Sequence, residues 1–330
     1  MSLSSFAERS FSALTSPRRL LDRLNANPVA RAERMHIVRL NLAGRRLRLA
    51  RLMLLALAIN IVALVAEGFP AQIAALTRAD PFDVVSLLRL ALEFTTLLVV
   101  SILFGHNLMV SGLAARLAST GIAREKGART WEALVLTGIP ARRIAIGKWW
   151  AAMQVLWVRH RTAIGLRLVL SIWLIVVFVH RELAPAPPMI GIVVVLAFIL
   201  VVPVITAAFT GALGVISSSI AGSETTAVRI NSLIAASAVL LLLGLGCCGA
   251  PFLFASVDNV LPLIAGALVF TLIDGGLVGL LVLLLSTEDP AQAATYLAGM
   301  GFWMVLFSLI TAGALLLAAR LLRAQGASRG

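Results

Sequence analysis

The four histidines, His36, His106, His160 and His180, lie far apart along the chain. The only cysteines, Cys247 and Cys248, are adjacent inside an apolar run. Neither pattern has the spacing of a metal site, and neighbouring cysteines do not staple a fold. No His-Glu-x-x-His pair is present to build a hydrolytic zinc centre. A phosphate-cradling loop needs Gly-x-x-x-x-Gly-Lys-Ser/Thr, but Gly147-Lys148 is followed by Trp149 and Arg142 stands where the first glycine belongs. The chain is therefore expected to bind no ATP and no cofactor, and to catalyse nothing itself. What remains for chemistry is charge in unusual places. Arg89 and Glu93 sit one helical turn apart in an apolar run, with His106 further along and Asp274 in a later one. Ionisable residues in hydrocarbon are costly and face a bundle interior, a cavity or one another. Two readings stay open for Arg89 and Glu93: a structural pair, or part of a polar patch on a transport path.

The elements that hold these residues follow from composition. Of 330 residues, 60% are hydrophobic and 13% charged, whereas soluble domains are nearer half apolar and about a quarter charged. The chain reads as an all-α polytopic membrane bundle. Its net charge of +13 clusters at the ends of apolar runs, where it sets topology and meets anionic lipid, so nucleic acid is not an expected partner. A span needs roughly 20 apolar residues. Candidates are 49–69, 84–117, 162–179, 189–216, 232–251 and 299–322, with a further apolar stretch at 260–285. A re-entrant hairpin broken at Asp274-Gly275-Gly276 would keep Glu288 and Asp289 on the outer side and the tail containing Arg320 and Arg323 on the inner. Six spans plus this segment are thus favoured over seven.

Residues 1–48, rich in Arg, read as a cytoplasmic segment with an interfacial helix. Residues 49–322 form the transmembrane domain and 323–330 a cytoplasmic tail. The loop after the second span carries Arg124, Lys126, Arg129, Arg142, Arg143 and Lys148, and Arg159, Arg161 and Arg167 flank the entry to the third. This bias predicts a multi-pass protein of the cytoplasmic membrane with its N-terminus inside.

The polar segment 119–148 interrupts the apolar pattern. Trp131, Leu134, Val135 and Gly138 recur at helical spacing, Thr130 suits an N-cap, and Gly138 with Pro140 suits a stop. So short a helix cannot span. It fits the membrane interface, or it projects to meet another protein.

Here the residues resemble a family. Glu125-Lys126-Gly127, Thr130-Trp131-Glu132-x-Leu134-x-Leu136-Thr137 and Ile144-x-x-Gly147-Lys148 resemble the signature that follows the second span of ABC-2-type permeases. Asn27-Pro28-Val29-x-Arg31-x-Glu33 is similar to that family's approach to the first span. Arg129 stands where glycine usually precedes the threonine, and Gly138-Ile139-Pro140 replaces Pro-Leu-Ser. The resemblance implies the membrane subunit of an ATP-binding cassette exporter, its interfacial helix near 28–48 and its coupling helix inside 119–148. It further implies partner ATPase subunits that carry ATP and magnesium, and a second copy or a related permease completing a dimer. Glu125, Lys126 and Glu132 would contact the ATPase, Trp131 and Leu134 would anchor the helix, and Thr130, Gly147 and Lys148 complete the motif. A polytopic membrane enzyme, or an ion-coupled transporter or channel, is the alternative.

Overall fold

The computed structural model describes residues 17–40, 46–67, 69, 81–180, 189–234, 237 and 290–326. Every regular element among them is an α-helix. In chain order these are α1 (Pro17–Asn25), α2 (Pro28–Leu40), α3 (Arg46–Glu67), α4 (Pro81–Gly127), α5 (Trp131–Leu136), α6 (Ala141–His180), α7 (Met189–Ile220) and α8 (Pro290–Ala324). Residues 224–234 add a short helical stretch after α7. Among the described residues, four helices hold segments long and apolar enough to cross a membrane: Val84–Gly127, His160–Val177, Gly191–Ile220 and Leu297–Ala324. In α3 the apolar segment is the shorter Met53–Val62. The expected fifth span and the re-entrant segment with Asp274 lie outside the described residues.

Two helices correct the expected boundaries. α4 is 47 residues long and α6 is 40, about 70 and 60 Å at 1.5 Å per residue. A hydrocarbon core of about 30 Å cannot contain either. α4 does not stop near Leu117. Ala114, Ala118 and Ile122 continue one buried stripe at four-residue spacing, so polarity changes at 117 while the helix does not. Likewise α6 begins at Ala141 rather than at 162. Ile144, Ala145, Ala152, Val155 and Leu156 are buried and lead directly into Ala163 and Ile164.

α4 and α7 run parallel and make the most extensive helix contact among the described residues, with α8 beside α7 and the antiparallel α6 against all three. Thr210 Oγ1 donates to the carbonyl of Ser111 at 3.0 Å, and Ser218 Oγ accepts from the amides of Ile122 and Ala123 at 2.9 and 2.8 Å. The core nearest α5 is dominated by small residues, among them Ala118, Ala145, Ala212, Ala314 and Ala318. Lipid tails are as apolar as leucine, so helices in membranes gain by close packing over small side chains rather than by hiding from lipid. Toward the other end, α3 joins through Met53 and Ala56, packed with Leu103, Leu170 and Leu174. The buried Asn60 there is fully engaged. Its Nδ2 donates to Thr95 Oγ1 at 2.9 Å, and its Oδ1 accepts from Trp173 Nε1.

Candidate functional site

The polar segment is a knuckle joining two long helices. α4 ends in a Schellman motif: the Thr130 amide donates to the Glu125 carbonyl (2.9 Å) and the Arg129 amide to that of Lys126 (3.1 Å). That geometry puts Arg129 in the left-handed region, φ 58°, a conformation glycine adopts without a Cβ penalty. Thr130 does not cap α5 as expected. Its backbone is already helical and no cap hydrogen bond forms. Its hydroxyl instead donates backwards to Glu125 Oε2 at 2.5 Å. α5 is only six residues and stops at Gly138, φ 68°, after which Pro140 accepts the first bonds of α6. Trp131 is buried, with Leu134 and Val135 packed against the same core.

Charged side chains from three helices meet behind the knuckle. Lys148 of α6 donates from Nζ to Glu33 Oε2 of α2 at 2.5 Å and to Glu125 Oε1 of α4 at 2.9 Å. Arg124 Nη2 reaches Glu33 Oε1 at 2.7 Å. Glu33 and Lys148 are 3% and 4% exposed, so these charges are stable inside only because each is paired. Two carboxylates and two cations cancel. The helix α2 is aimed at this point by its own pattern, since Val29, Glu33 and Ile37, four apart, share its buried face. Asn27 starts α2 by accepting from the Val29 amide (3.1 Å), and its Nδ2 donates to the Arg143 carbonyl (2.9 Å). Gly147 permits this approach: a Cβ there would lie 2.9 Å from that of Val29.

Lys126 faces elsewhere. Its Nζ donates to the carbonyls of Ser219 (2.6 Å) and Ala221 (3.1 Å), satisfying the open carbonyls at the end of α7. Gln325 Nε2 adds a bond to Ser219 at 2.9 Å. A cavity of about 450 Å³ lies beside the network, lined by Val29, Glu33, His36, Arg124, Leu134 and Ile139 among others.

The structure thus brings together Glu125, Gly147 and Lys148 and ties Thr130 to them, while Trp131 and Leu134 turn inward. Of the expected contact residues, Glu125 and Lys126 are committed to bonds within the chain. Glu132 is exposed, as are Arg129, Arg142 and Arg143. Leu136 is 86% exposed. From the sequence, Arg124 counts only toward the topological charge bias, and neither it nor Glu33 is expected in an ion-pair network. Glu33 was visible only as part of the approach motif, and no local spacing links it to Lys148, 115 positions away.

Among the described residues, the expected intramembrane groups do not form one site. Arg89 and Glu93 lie on an exposed face of α4, whereas His106 is buried further along the same helix. Arg167, expected at the mouth of a span, is instead wholly buried in the bundle and donates from Nη1 to the Leu103 carbonyl at 2.8 Å. His160 packs its ring 5.7 Å from that of His106. Among the described residues no group of His, Cys, Asp and Glu is arranged to hold a metal. Comparison of the chain with protein-family models, with characterised proteins and with solved structures finds no match in any of the three.

Proposed function

We propose that this chain is the membrane-spanning permease subunit of an ABC exporter, moving substrate across the cytoplasmic membrane with ATP hydrolysed by a separate subunit. The observation that carries the reading is the braced knuckle. Glu33, Arg124, Glu125 and Lys148 pin α2, α4 and α6 together directly behind α5. A push on α5 then has no hinge to be lost in, because both flanking helices run unbroken into candidate spans. Coupling by rigid levers of this kind fits hinge or shear motion. The resemblance of the segment to the ABC-2 signature supplies the partner: α5 would meet the cytoplasmic ATPase through Glu132 and Leu136. Glu125, Lys126 and Lys148 would keep the lever stiff. A second permease, identical or related, would complete the translocation path.

The test is purification of the tagged chain from its native membrane. An ATPase should accompany it, and Glu132→Arg should remove that ATPase while leaving the permease folded. A chain that purifies without any ATPase under mild conditions contradicts the proposal. The buried Arg167 with His106 and His160 favours a second reading, an ion-coupled transporter or channel. Flux through proteoliposomes holding this chain alone, without ATP, would select it.

A further inference from the structure

The cavity beside the brace has a wall of two kinds. Val29 and Ala32 of α2, with Leu134 and Ile139 of the knuckle, give it an apolar part. Glu33, His36, Arg124, Glu125 and Lys148 give it a charged one. Its volume of about 450 Å³ falls in the range of small-molecule sites, roughly 300–1,000 Å³.

The charged part has donors to spare, while every carboxylate oxygen is in use. Glu33 Oε1 and Oε2 accept from Arg124 and Lys148, and Glu125 Oε1 and Oε2 accept from Lys148 and Thr130. Arg124, by contrast, bonds only through Nη2. The other N–H groups of its guanidinium have no hydrogen-bond partner among the described residues, and its side chain is 21% exposed. His36, exposed on α2, makes no hydrogen bond among them either. Exposed charge on the same elements leans one way. α2, the knuckle and the first turn of α6 present Arg31, Arg34, Arg129, Arg142 and Arg143 against the single acid Glu132, a field that draws anions.

We infer that this cavity binds an oxyanion carried on an apolar body, a phosphate ester with a hydrocarbon part. Arg124 holds the phosphate with the donors that the brace leaves unused, in charge-assisted bonds, and His36 adds a further donor. A phosphate suits donors from two side chains because it offers three acceptor oxygens. The brace behind is neutral, two carboxylates against two cations, so it sets no net repulsion against the ligand. The hydrocarbon part lies against Val29, Leu134 and Ile139. Such a group has two sources, the head of an anionic phospholipid or a soluble phosphate ester. The site does not depend on the exporter reading; only its consequence for coupling would.

Photo-crosslinking on the purified full chain in phosphatidylcholine nanodiscs, with no ATPase present, tests the site separately from that reading. Three short-chain diazirine probes of matched length are compared: an alkyl phosphate, an alkyl alcohol and an alkylammonium. The phosphate should label Val29–His36 and Leu134–Ile139, and the other two should not. Arg124→Gln should raise the concentration needed for labelling about tenfold or more, the size expected for losing a charge-assisted hydrogen bond. Ala32→Trp, at an exposed position on the cavity wall, should block labelling by filling the space without touching an ion pair, so the test stands even where Arg124→Gln loosens the brace. Phosphatidylglycerol in the nanodisc then identifies the source. Weaker labelling by the phosphate probe makes the membrane lipid the occupant, and unchanged labelling makes it a soluble ester. Equal labelling by the alcohol or the ammonium, labelling elsewhere, or labelling unmoved by both substitutions overturns the site.

Discussion

Two buried polar clusters sit on the same pair of helices, and they are built on opposite rules. At the α5 end, Lys148, Arg124, Glu33 and Glu125 balance one another and make short, directed bonds. At mid-length, His106 makes none among the described residues, and its surroundings are rich in donors. A satisfied network rigidifies, whereas a half-satisfied one costs stability. The first cluster is a fixture of the fold, and the second holds an imidazole whose polar atoms are unmet. Substitutions in each should therefore move stability in opposite directions.

The largest effect is expected from Lys148→Met. It leaves Glu33, 3% exposed, with one cation fewer and Glu125 with no ion partner among the described residues. Removing one partner of a buried ion pair costs about 3–5 kcal/mol, to be read from thermal unfolding of the detergent-solubilised chain. The double variant Lys148→Met with Glu33→Leu should recover part of that loss, because it removes the stranded charge along with its partner. A single variant as stable as the parent would show that the brace does not hold the knuckle.

His106→Leu should do the reverse. The change keeps volume and deletes two unmet polar atoms, so stability should stay level or rise by about 1 kcal/mol. A loss comparable to that of Lys148→Met would mean that the imidazole is as fully engaged as the α5-end charges, and the contrast between the clusters would vanish. Asn60, equally buried but bonded to Thr95 and Trp173, serves as the control. Asn60→Leu strands its partners and should destabilise.

How far the sequence revealed this depends on whether a feature is local. α7 and α8 were legible as spans because their runs are apolar throughout. The stop at Gly138 was legible because glycine near a proline has a local backbone reason. The lengths of α4 and α6 were not legible. Arg116, Arg124 and Lys126 mark a change of solvent, which looks like a helix end in a hydropathy reading although Ala118 and Ile122 keep the helical stripe. Arg167 reads as an interfacial charge in the sequence because three basic residues, Arg159, Arg161 and Arg167, stand close together. Which of them turns inward is decided by packing against α4. The brace was half legible: the motif flagged Glu125 and Lys148, but the partner Glu33 is supplied by a helix more than a hundred positions earlier.

A smaller effect tests the joint between brace and tip. Arg129 holds φ 58° at the position where the resembling pattern carries glycine. Arg129→Gly removes the left-handed penalty for an L residue and adds freedom to the unfolded chain, for a net gain of about 0.5–1 kcal/mol. Arg129→Ala keeps a Cβ at the same φ, so it keeps the left-handed penalty and should leave stability about level. Equal shifts for both would mean that the Schellman turn carries no strain worth relieving.

The smallest effect on stability separates the lever from its outer face. Glu132 and Leu136 point away from the brace and are exposed. Surface substitutions away from caps and networks usually shift stability within about 0.5 kcal/mol. Glu132→Arg and Leu136→Ser should therefore leave the melting temperature of the isolated chain unchanged. If α5 is a handle, the same two substitutions should abolish association with the ATPase and any ATP-driven transport. Lys148→Met should differ in kind: weakened folding, with residual ATPase binding in whatever fraction stays intact. That double dissociation, a stable chain that cannot dock and a docking chain that is unstable, is what a rigid lever with an exposed tip requires. Should Glu132→Arg destabilise the chain as much as Lys148→Met, α5 would be part of the brace and would have no face left for a partner.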